Sequence, residues 1–507
     1  MRVSELVTTD EINSWKPGDI VAIKAGTGMG KSYFIKNNLY AIAKRDNKKI
    51  LMLIHRRNCT DQFYKELARD KKLDIITIAT YQKIEHLART GQYFSFKEYD
   101  YIICDEFHYF MSDAAFNKTT DMSLDAILKQ TSKIKIFMSA TGKYVNNYLN
   151  KFKKLEIKDY ELPITFEFIK ELTFYNKDST LETFIEEAIK HGHKAIFFLD
   201  SARKAYDLHK KYKENTLFNC SKTNENYYKF VNQEKIANML EHERFEESIL
   251  ITTTCMDAGV NIIDDKLEHI VCDVKDVSTL IQCIGRKRIV TKKDKIYLYI
   301  KTVNNQQLGG IETQINKKLE MARYLKENNV EAYIEKYQRE NDRWNIVYDD
   351  VVGEKDKGTK KINWLSYFKC ITDVGEIHAM KEYGKFGYCK SLAVKFGFYD
   401  QYDGYLYRLI EEESSDEKLK RYLESIVGNK LFKKEQKELK EVFKENGLNA
   451  RTLGINTLNG NIKDRELPYL LEIGKRKSFT DEDGKVKKEQ SHWILAKITY
   501  NIDTFMQ

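Results

Sequence analysis

Apolar residues along this chain fall in short, nearly unbroken runs separated by polar stretches with helical spacing. Between about residues 16 and 150 the runs are Ile20–Ile23, Ile50–Ile54, Ile75–Ala79, Tyr101–Cys104 and Ile134–Met138. Continuous runs of this length predict strands covered on both faces, as in a parallel sheet. Between them, Asp61–Arg69 and Asp121–Lys129 repeat their apolar positions as helices do. A second block, from about 165 to 302, has the same rhythm, with strands expected at Ala195–Leu199, Ser248–Thr252, His269–Cys272 and Lys295–Ile300. Two such blocks predict an α/β fold with two tandem, doubly wound parallel-sheet domains facing one another.

Beyond Thr302 the pattern changes. Gln314–Asn329 and Ala332–Asn341 predict charged helices, and Gly353–Lys361 reads as a basic surface loop. Residues 363–425 are dense in Tyr and Phe without a recognisable motif. Lys433–Glu445 predicts an amphipathic helix stopped by Asn446-Gly447, and a second short helix is expected from Asn449. Strands are expected at Tyr469–Ile473 and His492–Ile498, with a turn at Asp483-Gly484. Helix, turn, helix and hairpin is the order of a winged helix-turn-helix. The hairpin region carries Lys475, Arg476, Lys477, Lys485, Lys487 and Lys488, which suits either a wing touching phosphates or a solvated charged hairpin. The expected division is 1–160, 161–305, a helical and aromatic accessory domain at 306–430, and a winged-helix-like region at 431–507. The last two form a C-terminal α+β accessory region.

Composition narrows this picture only a little. A chain of 507 residues exceeds one ordinary core, and 42% hydrophobic residues exclude a mainly disordered protein. No apolar run approaches the ~18–20 residues that span a bilayer, and no basic-then-apolar leader opens the sequence, so no membrane partner is expected. The 8 cysteines are scattered without a C-x-x-C pair, which argues against a disulfide framework or a cysteine zinc site and fits a cytoplasmic setting. Lys and Arg number 85 against 76 Asp and Glu, an excess that permits a phosphate-backbone partner without demonstrating one.

The chemistry is concentrated at the ends of the expected strands. Ala25-Gly26-Thr27-Gly28-Met29-Gly30-Lys31-Ser32 lies between the first strand and a helix. Glycines there let backbone N–H groups curl around phosphate oxygens, Lys31 reaches the β- and γ-phosphates, and Ser32 offers a hydroxyl to Mg²⁺. Asp105 and Glu106 close the fourth strand, at the edge that faces the ligand crevice of an open α/β sheet. Asp105 is expected to hold Mg²⁺, and Glu106 to take the proton from water attacking the γ-phosphate of ATP.

With Ala25 in place of the usual first glycine, the loop resembles that of superfamily 2 helicases. Asp105-Glu106-Phe107-His108 resembles their D-E-x-H box. His55-Arg56-Arg57 is similar to motif Ia, Thr80-Tyr81-Gln82 to the Thr-containing backbone motif, and Ser139-Ala140-Thr141 to the S-A-T motif. In the second block, Phe197-Phe198-Leu199-Asp200-Ser201 resembles motif IV, and Thr252-Thr253-Thr254 through Asp257-Ala258-Gly259-Val260-Asn261 resembles motif V. Gln282-Cys283-Ile284-Gly285-Arg286-Lys287-Arg288 resembles motif VI. The resemblance spans about residues 15 to 300 and implies RecA-like domains, ATP and Mg²⁺ as ligands, and a nucleic-acid partner, DNA favoured over RNA. It further implies backbone contacts from Arg56, Thr80 and Thr253, and coupling through His108, Ser139 and Thr141. Asp257 and Gly259 would border the nucleotide, and Gln282, Arg286 and Arg288 would face the triphosphate.

Motif VI departs from the family form, because its final Arg comes one residue early and Ile289 stands in its place. Arg286 therefore aligns with the family, and a finger role for Arg288 stays open. No Gln-containing motif precedes the loop; Trp15 is either a base-packing residue or part of the core. The expected function is an ATP-dependent helicase or translocase. The alternatives are a motor that moves on duplex without separating it and an ATP-gated initiator-type binding module. The C-terminal region would engage duplex or a protein partner.

Overall fold

The computed structural model describes every residue except Arg56, Phe116, Lys118, 257–259, Lys292, 338–345, 351–358, Arg451, Glu466, 481–484 and 499–507. The expected sites Arg56, Asp257 and Gly259, and the expected turn at Asp483-Gly484, lie outside the described residues.

The apolar runs of the first block become β1 (Ile20–Lys24), β2 (Ile50–Ile54), β3 (Ile76–Thr80), β4 (Tyr101–Asp105) and β5 (Ile134–Ser139). With β6 (Lys158–Glu161) they form one parallel sheet of order β3-β2-β4-β5-β1-β6. Successive strand residues supply two different cores. Val21, Ile23, Met52, Ile103 and Ile136 pack into one cluster, and Leu51, Leu53, Ile102, Cys104 and Phe137 into the other. Period-two alternation with both faces buried is why the runs read as continuously apolar. Trp15 belongs to the first cluster, 6% exposed, its Nε1 donating to Tyr160 Oη at 3.3 Å. It is a core residue.

A second sheet carries β7 (Ile169–Tyr175), β8 (Lys194–Leu199), β9 (Thr216–Asn219), β10 (Ile249–Thr253), β11 (Leu267–Asp273) and β12 (Ile296–Lys301) in the order β7-β12-β11-β8-β10-β9. Its central pairs are again parallel. The chain is thus α/β, with two tandem doubly wound sheets followed by further elements.

Those elements begin with the helix Asn305–Glu327, whose amino end is closed by a reciprocal cap between Asn304 and Gln307. The aromatic stretch without a motif forms the helices Trp364–Glu382 and Gly387–Phe396. Leu365 is fully buried in the core of the first domain, and Phe368 meets Tyr148 edge-on with ring centroids 5.5 Å apart. Asn363 caps its helix by accepting from the N–H groups of Leu365 and Ser366, and its own Nδ2 donates to Thr120 Oγ1 at 3.4 Å.

The chain divides into two compact units, Met1–Leu172 with Asp178–Leu406, and Thr173–Lys177 with Tyr407–Gln507. Within the second, the helix Ile410–Ile426 leads to the strand Lys430–Leu431, the helices Lys433–Glu445 and Ile455–Asp464, and the strands Tyr469–Ile473 and Trp493–Lys497. These three strands form an antiparallel sheet with Trp493–Lys497 in the middle. A hairpin arm, Ser478–Thr480 paired with Val486–Lys488, projects between the last two. Leu423, Leu439, Phe443, Leu458, Tyr469 and Leu495 fill its core. The helix expected from Asn449 starts at Ile455, because Gly454 is extended (φ −88°, ψ 169°) where the helix begins. Among the described residues, no helix is long and apolar enough to cross a membrane.

Candidate functional site

The carboxyl ends of β1, β4 and β5 converge on one edge of the first sheet, and the expected residues meet there. β1 runs into the loop Ala25–Gly30, in which Gly28 and Gly30 take φ of 85° and 88°. Side chains rarely adopt that region, and glycine allows it at no steric cost. The helix that follows opens with Lys31, only 9% exposed, whose Nζ donates to Ala25 O at 2.9 Å and Gly26 O at 3.4 Å. Ser32 stands exposed beside it.

Lys31 Nζ lies 3.9 Å from Glu106 Oε1. Glu106 is held at a φ of 47°, a strained setting for a side chain, which turns its carboxylate back over the strand end. His108 Nδ1 is 3.2 Å from Glu106 Oε2 and 2.8 Å from Ser139 Oγ. Ser139 Oγ donates to Glu106 Oε2 at 3.4 Å and accepts from Thr141 N–H at 3.1 Å. Burial opposes charge on Glu106, yet Lys31, His108 and Arg286 outweigh it and hold the carboxyl well below the usual range. Neighbouring Asp105 is pushed up to about 7, by burial first and then by the Glu106 charge.

Residues on and just after the helix Val277–Ile284 of the second domain complete this cluster. Gln282 Nε2 donates to Thr141 Oγ1 at 3.0 Å. Arg286 is 3% exposed and spends its guanidinium on backbone, donating to Gln282 O at 2.9 Å and Val260 O at 3.1 Å. Arg288 faces the loop instead, since a Cβ on Gly28 would stand 3.2 Å from Arg288 Nη1. That Nη1 is buried without a hydrogen-bond partner among the described residues. Burial and the neighbouring Arg286 bring Arg288 down to about 10, still cationic near neutral pH. A cradle of backbone N–H groups beside Lys31 and an unsatisfied guanidinium fits a polyphosphate. The half-buried Asp105 carboxyl, with Ser32, fits a divalent cation whose charge would keep Asp105 ionised.

A groove of about 2370 Å³ adjoins this cluster. Thr80, Lys83 and His86 line it from the first domain, and Lys222, Thr253 and Lys275 from the second. Thr80 also caps the helix Tyr81–Arg89, accepting from Lys83 N–H at 3.2 Å. Sequence reasoning missed two contributions here. The accessory helices form a third wall, in which Leu308, Ile311, Ile377 and Met380 are apolar and Lys369, Asp373 and Glu376 are charged. The amino-terminal helix Val3–Leu6 also clamps the loop, Val3 N–H donating to Met29 O at 3.0 Å.

The strand, glycine loop and lysine-headed helix have the form of a phosphate-binding loop, set on the first of two tandem parallel sheets. More particularly, residues 8–143 match the family model described as "Type III restriction enzyme, res subunit", which supports the superfamily 2 resemblance and a helicase-like NTPase function. No curated protein matches the sequence. Among solved structures, that of S. cerevisiae Dbp5 bound to RNA and ADP BeF3 is similar at 15% identity and a TM-score of 0.45, over 60% of this chain and 85% of that one. The DEAD-box helicase Mss116 bound to ssRNA and UDP-BeF is similar at 15% identity and a TM-score of 0.45, over 64% and 72% of the two chains. A DEAD box protein from the hyperthermophile Methanococcus jannaschii is similar at 16% identity and a TM-score of 0.34, over 61% and 88%.

One close contact next to the cluster is open to test. A Cβ on Gly142 would stand 2.1 Å from Phe107 Cζ, and the fully buried Phe107 directly follows Glu106. Gly142→Ala must displace that ring and with it the carboxylate, so ATP turnover is expected to fall about 10- to 100-fold. The double variant Gly142→Ala with Phe107→Leu should recover part of the loss. Unimpaired turnover in Gly142→Ala would show that Phe107 does not position Glu106.

Proposed function

We propose that this chain is an ATP-dependent helicase or translocase that couples ATP hydrolysis to movement on nucleic acid. The observation that carries the reading is an unbroken hydrogen-bond path from Glu106 through Ser139 and Thr141 to Gln282. It joins the candidate general base of one domain to the motif VI helix of the other, as a motor needs if nucleotide state is to set domain closure. Lys31, Ser32 and Asp105 are assigned to the triphosphate and Mg²⁺, and Glu106 to the attacking water. Arg288 is assigned as the trans-acting arginine, because it faces Gly28 while Arg286 is tied to backbone. Thr80 and Thr253 are assigned to the backbone of a strand lying in the groove.

DNA is favoured over RNA as the partner, supported by the match to a restriction-enzyme subunit. The terminal unit supports a second contact, since its helix, strand, two helices, strand, arm and strand follow the order of a winged helix. Lys475, Arg476, Lys477 and Lys488 are exposed around the arm. An initiator-type use of that unit is the second reading.

Measuring ATPase stimulation with single-stranded DNA, duplex DNA and RNA side by side tests the proposal, which predicts the strongest stimulation by DNA. Hydrolysis on duplex without strand release in a displacement assay would favour the duplex motor, and turnover unaffected by any polymer would reject a motor altogether. Glu106→Gln should bind ATP and lose hydrolysis. Arg288→Ala should retain nucleotide binding while hydrolysis drops about 10³-fold or more; a smaller loss than in Arg286→Ala would return the finger role to Arg286. Replacing Lys475, Lys477 and Lys488 by Gln should flatten the salt dependence of DNA binding by about two to three in log–log slope, with basal ATPase unchanged. An unchanged slope would mean that the arm is a solvated hairpin.

A further inference from the structure

The second sheet carries, at the amino ends of its strands, a cluster that takes no part in the nucleotide site. His193 lies between Gly192, the left-handed cap (φ 67°) of the helix Ser179–His191, and the start of β8. Its Nδ1 is 2.9 Å from Nε2 of His269 on β11. β11 is irregular at this point. Its register against β8 passes from Leu267↔Lys194 to His269↔Ala195, leaving Glu268 as an extra residue. Adjacent side chains on a regular strand point to opposite faces, whereas a bulge re-aims them. Glu268 and His269 are thereby directed at the same place. One ligand atom each from His193, Glu268 and His269 all lie within 4.8 Å of one another.

His269 is also braced from behind. Its Nδ1 is 3.2 Å from Tyr299 Oη, and the Tyr297 ring stacks on it with centroids 5.0 Å apart. With Nδ1–H donating to Tyr299, the Nε2 lone pair is the one that faces His193. This is how outer partners fix the tautomer of a ligating imidazole.

We propose that His193 Nδ1, His269 Nε2 and the Glu268 carboxylate bind one divalent transition ion, zinc being the preferred occupant and water completing the coordination. Two imidazoles and a carboxylate suit zinc, with Zn–N distances of about 2.0–2.1 Å. Binding replaces the direct hydrogen bond between the two rings, and His193 then carries its proton on Nε2. The ion would pin the loop after Ser179–His191 to the bulge of β11. It would stabilise the second domain at the end of the sheet opposite the nucleotide, as a structural ion and not a reacting one. Cysteine spacing gives no hint of it, because the bulge and the pairing of β8 with β11 bring the three donors together.

The test uses the full, untagged chain, stripped with chelator and titrated with Zn²⁺ and separately with Co²⁺. The expected result is one tight ion per chain, a Co²⁺ absorption band of tetrahedral type, and a melting temperature raised by zinc. His193→Ala and His269→Ala should each remove the band and weaken zinc binding about 100-fold or more, and Glu268→Gln about tenfold. Wild-type protein that takes up no ion overturns the proposal. So does a folded double variant, His193→Ala with His269→Ala, that keeps the wild-type affinity and spectrum. If the double variant does not fold, the exposed Glu268→Gln decides, a tenfold loss supporting the site and unchanged affinity overturning it.

Discussion

A half-buried carboxylate that must stay ionised is the constraint around which the first unit is arranged. Desolvation alone would push Glu106 towards its neutral form. Lys31 and His108 from its own domain and Arg286 from the second reverse that preference. Asp105, one residue earlier, also feels Lys31 and His108, but burial and the charge of Glu106 outweigh them and push it up to about 7. Two adjacent carboxyls are thus driven apart in their affinity for a proton, as the proposed roles of base and cation ligand require. The left-handed backbone at Glu106 and the glycine at 142 keep that carboxylate among its partners.

Because Arg286 belongs to the second domain, the charge on Glu106 depends in part on where that domain stands. The path through Ser139, Thr141 and Gln282 carries the same dependence in hydrogen bonds. The helix Trp364–Glu382 adds a mechanical link of its own. It is rooted in the first domain through Leu365 and Phe368, and Lys369 Nζ lies 2.9 Å from Asp373 and 3.6 Å from Asp276. Asp276 caps the motif VI helix Val277–Ile284, accepting from Thr279 N–H at 2.8 Å. A change in the spacing of the two sheets therefore loads the cap of the helix that bears Gln282 and leads to the two arginines.

Much of this was legible in the chain itself. β2 was read to the residue, and β1, β4 and β5 to within one, because a strand buried on both faces is apolar at nearly every position, the buried Lys135 of β5 being an exception. β6 was not read, since Lys158–Glu161 is a polar edge strand with only alternate residues half-buried. The four-residue β9 was too short to show a pattern. The residues that gather at the sheet edge were legible from their places at or just beyond strand ends, with Asp105 and Ser139 closing β4 and β5, Glu106 following β4, and Lys31 opening the helix after the loop. The relative roles of Arg286 and Arg288 were not, because alignment gives position and says nothing of which guanidinium is spent on backbone carbonyls. The accessory wall was hidden for a similar reason, its apolar residues being indistinguishable in sequence from those that simply fill a core.

That third wall bears on how a strand would be held under the proposed reading. Thr80 and Lys83 on one side and Lys222 and Thr253 on the other offer hydroxyls and cations, which suit phosphates and weaken with salt. Leu308, Ile311, Ile377 and Met380 offer neither, and apolar groups gain most from base faces, through burial that salt does not screen. The two kinds of contact arise from different parts of the chain. Ile377 and Met380 sit on the same helix as Lys369, so this part of the wall belongs to an element that is rooted in the first domain and reaches the Asp276 cap in the second. Closure of the cleft would then shift base-facing and phosphate-facing contacts relative to each other, which a wall built on either sheet alone would not do.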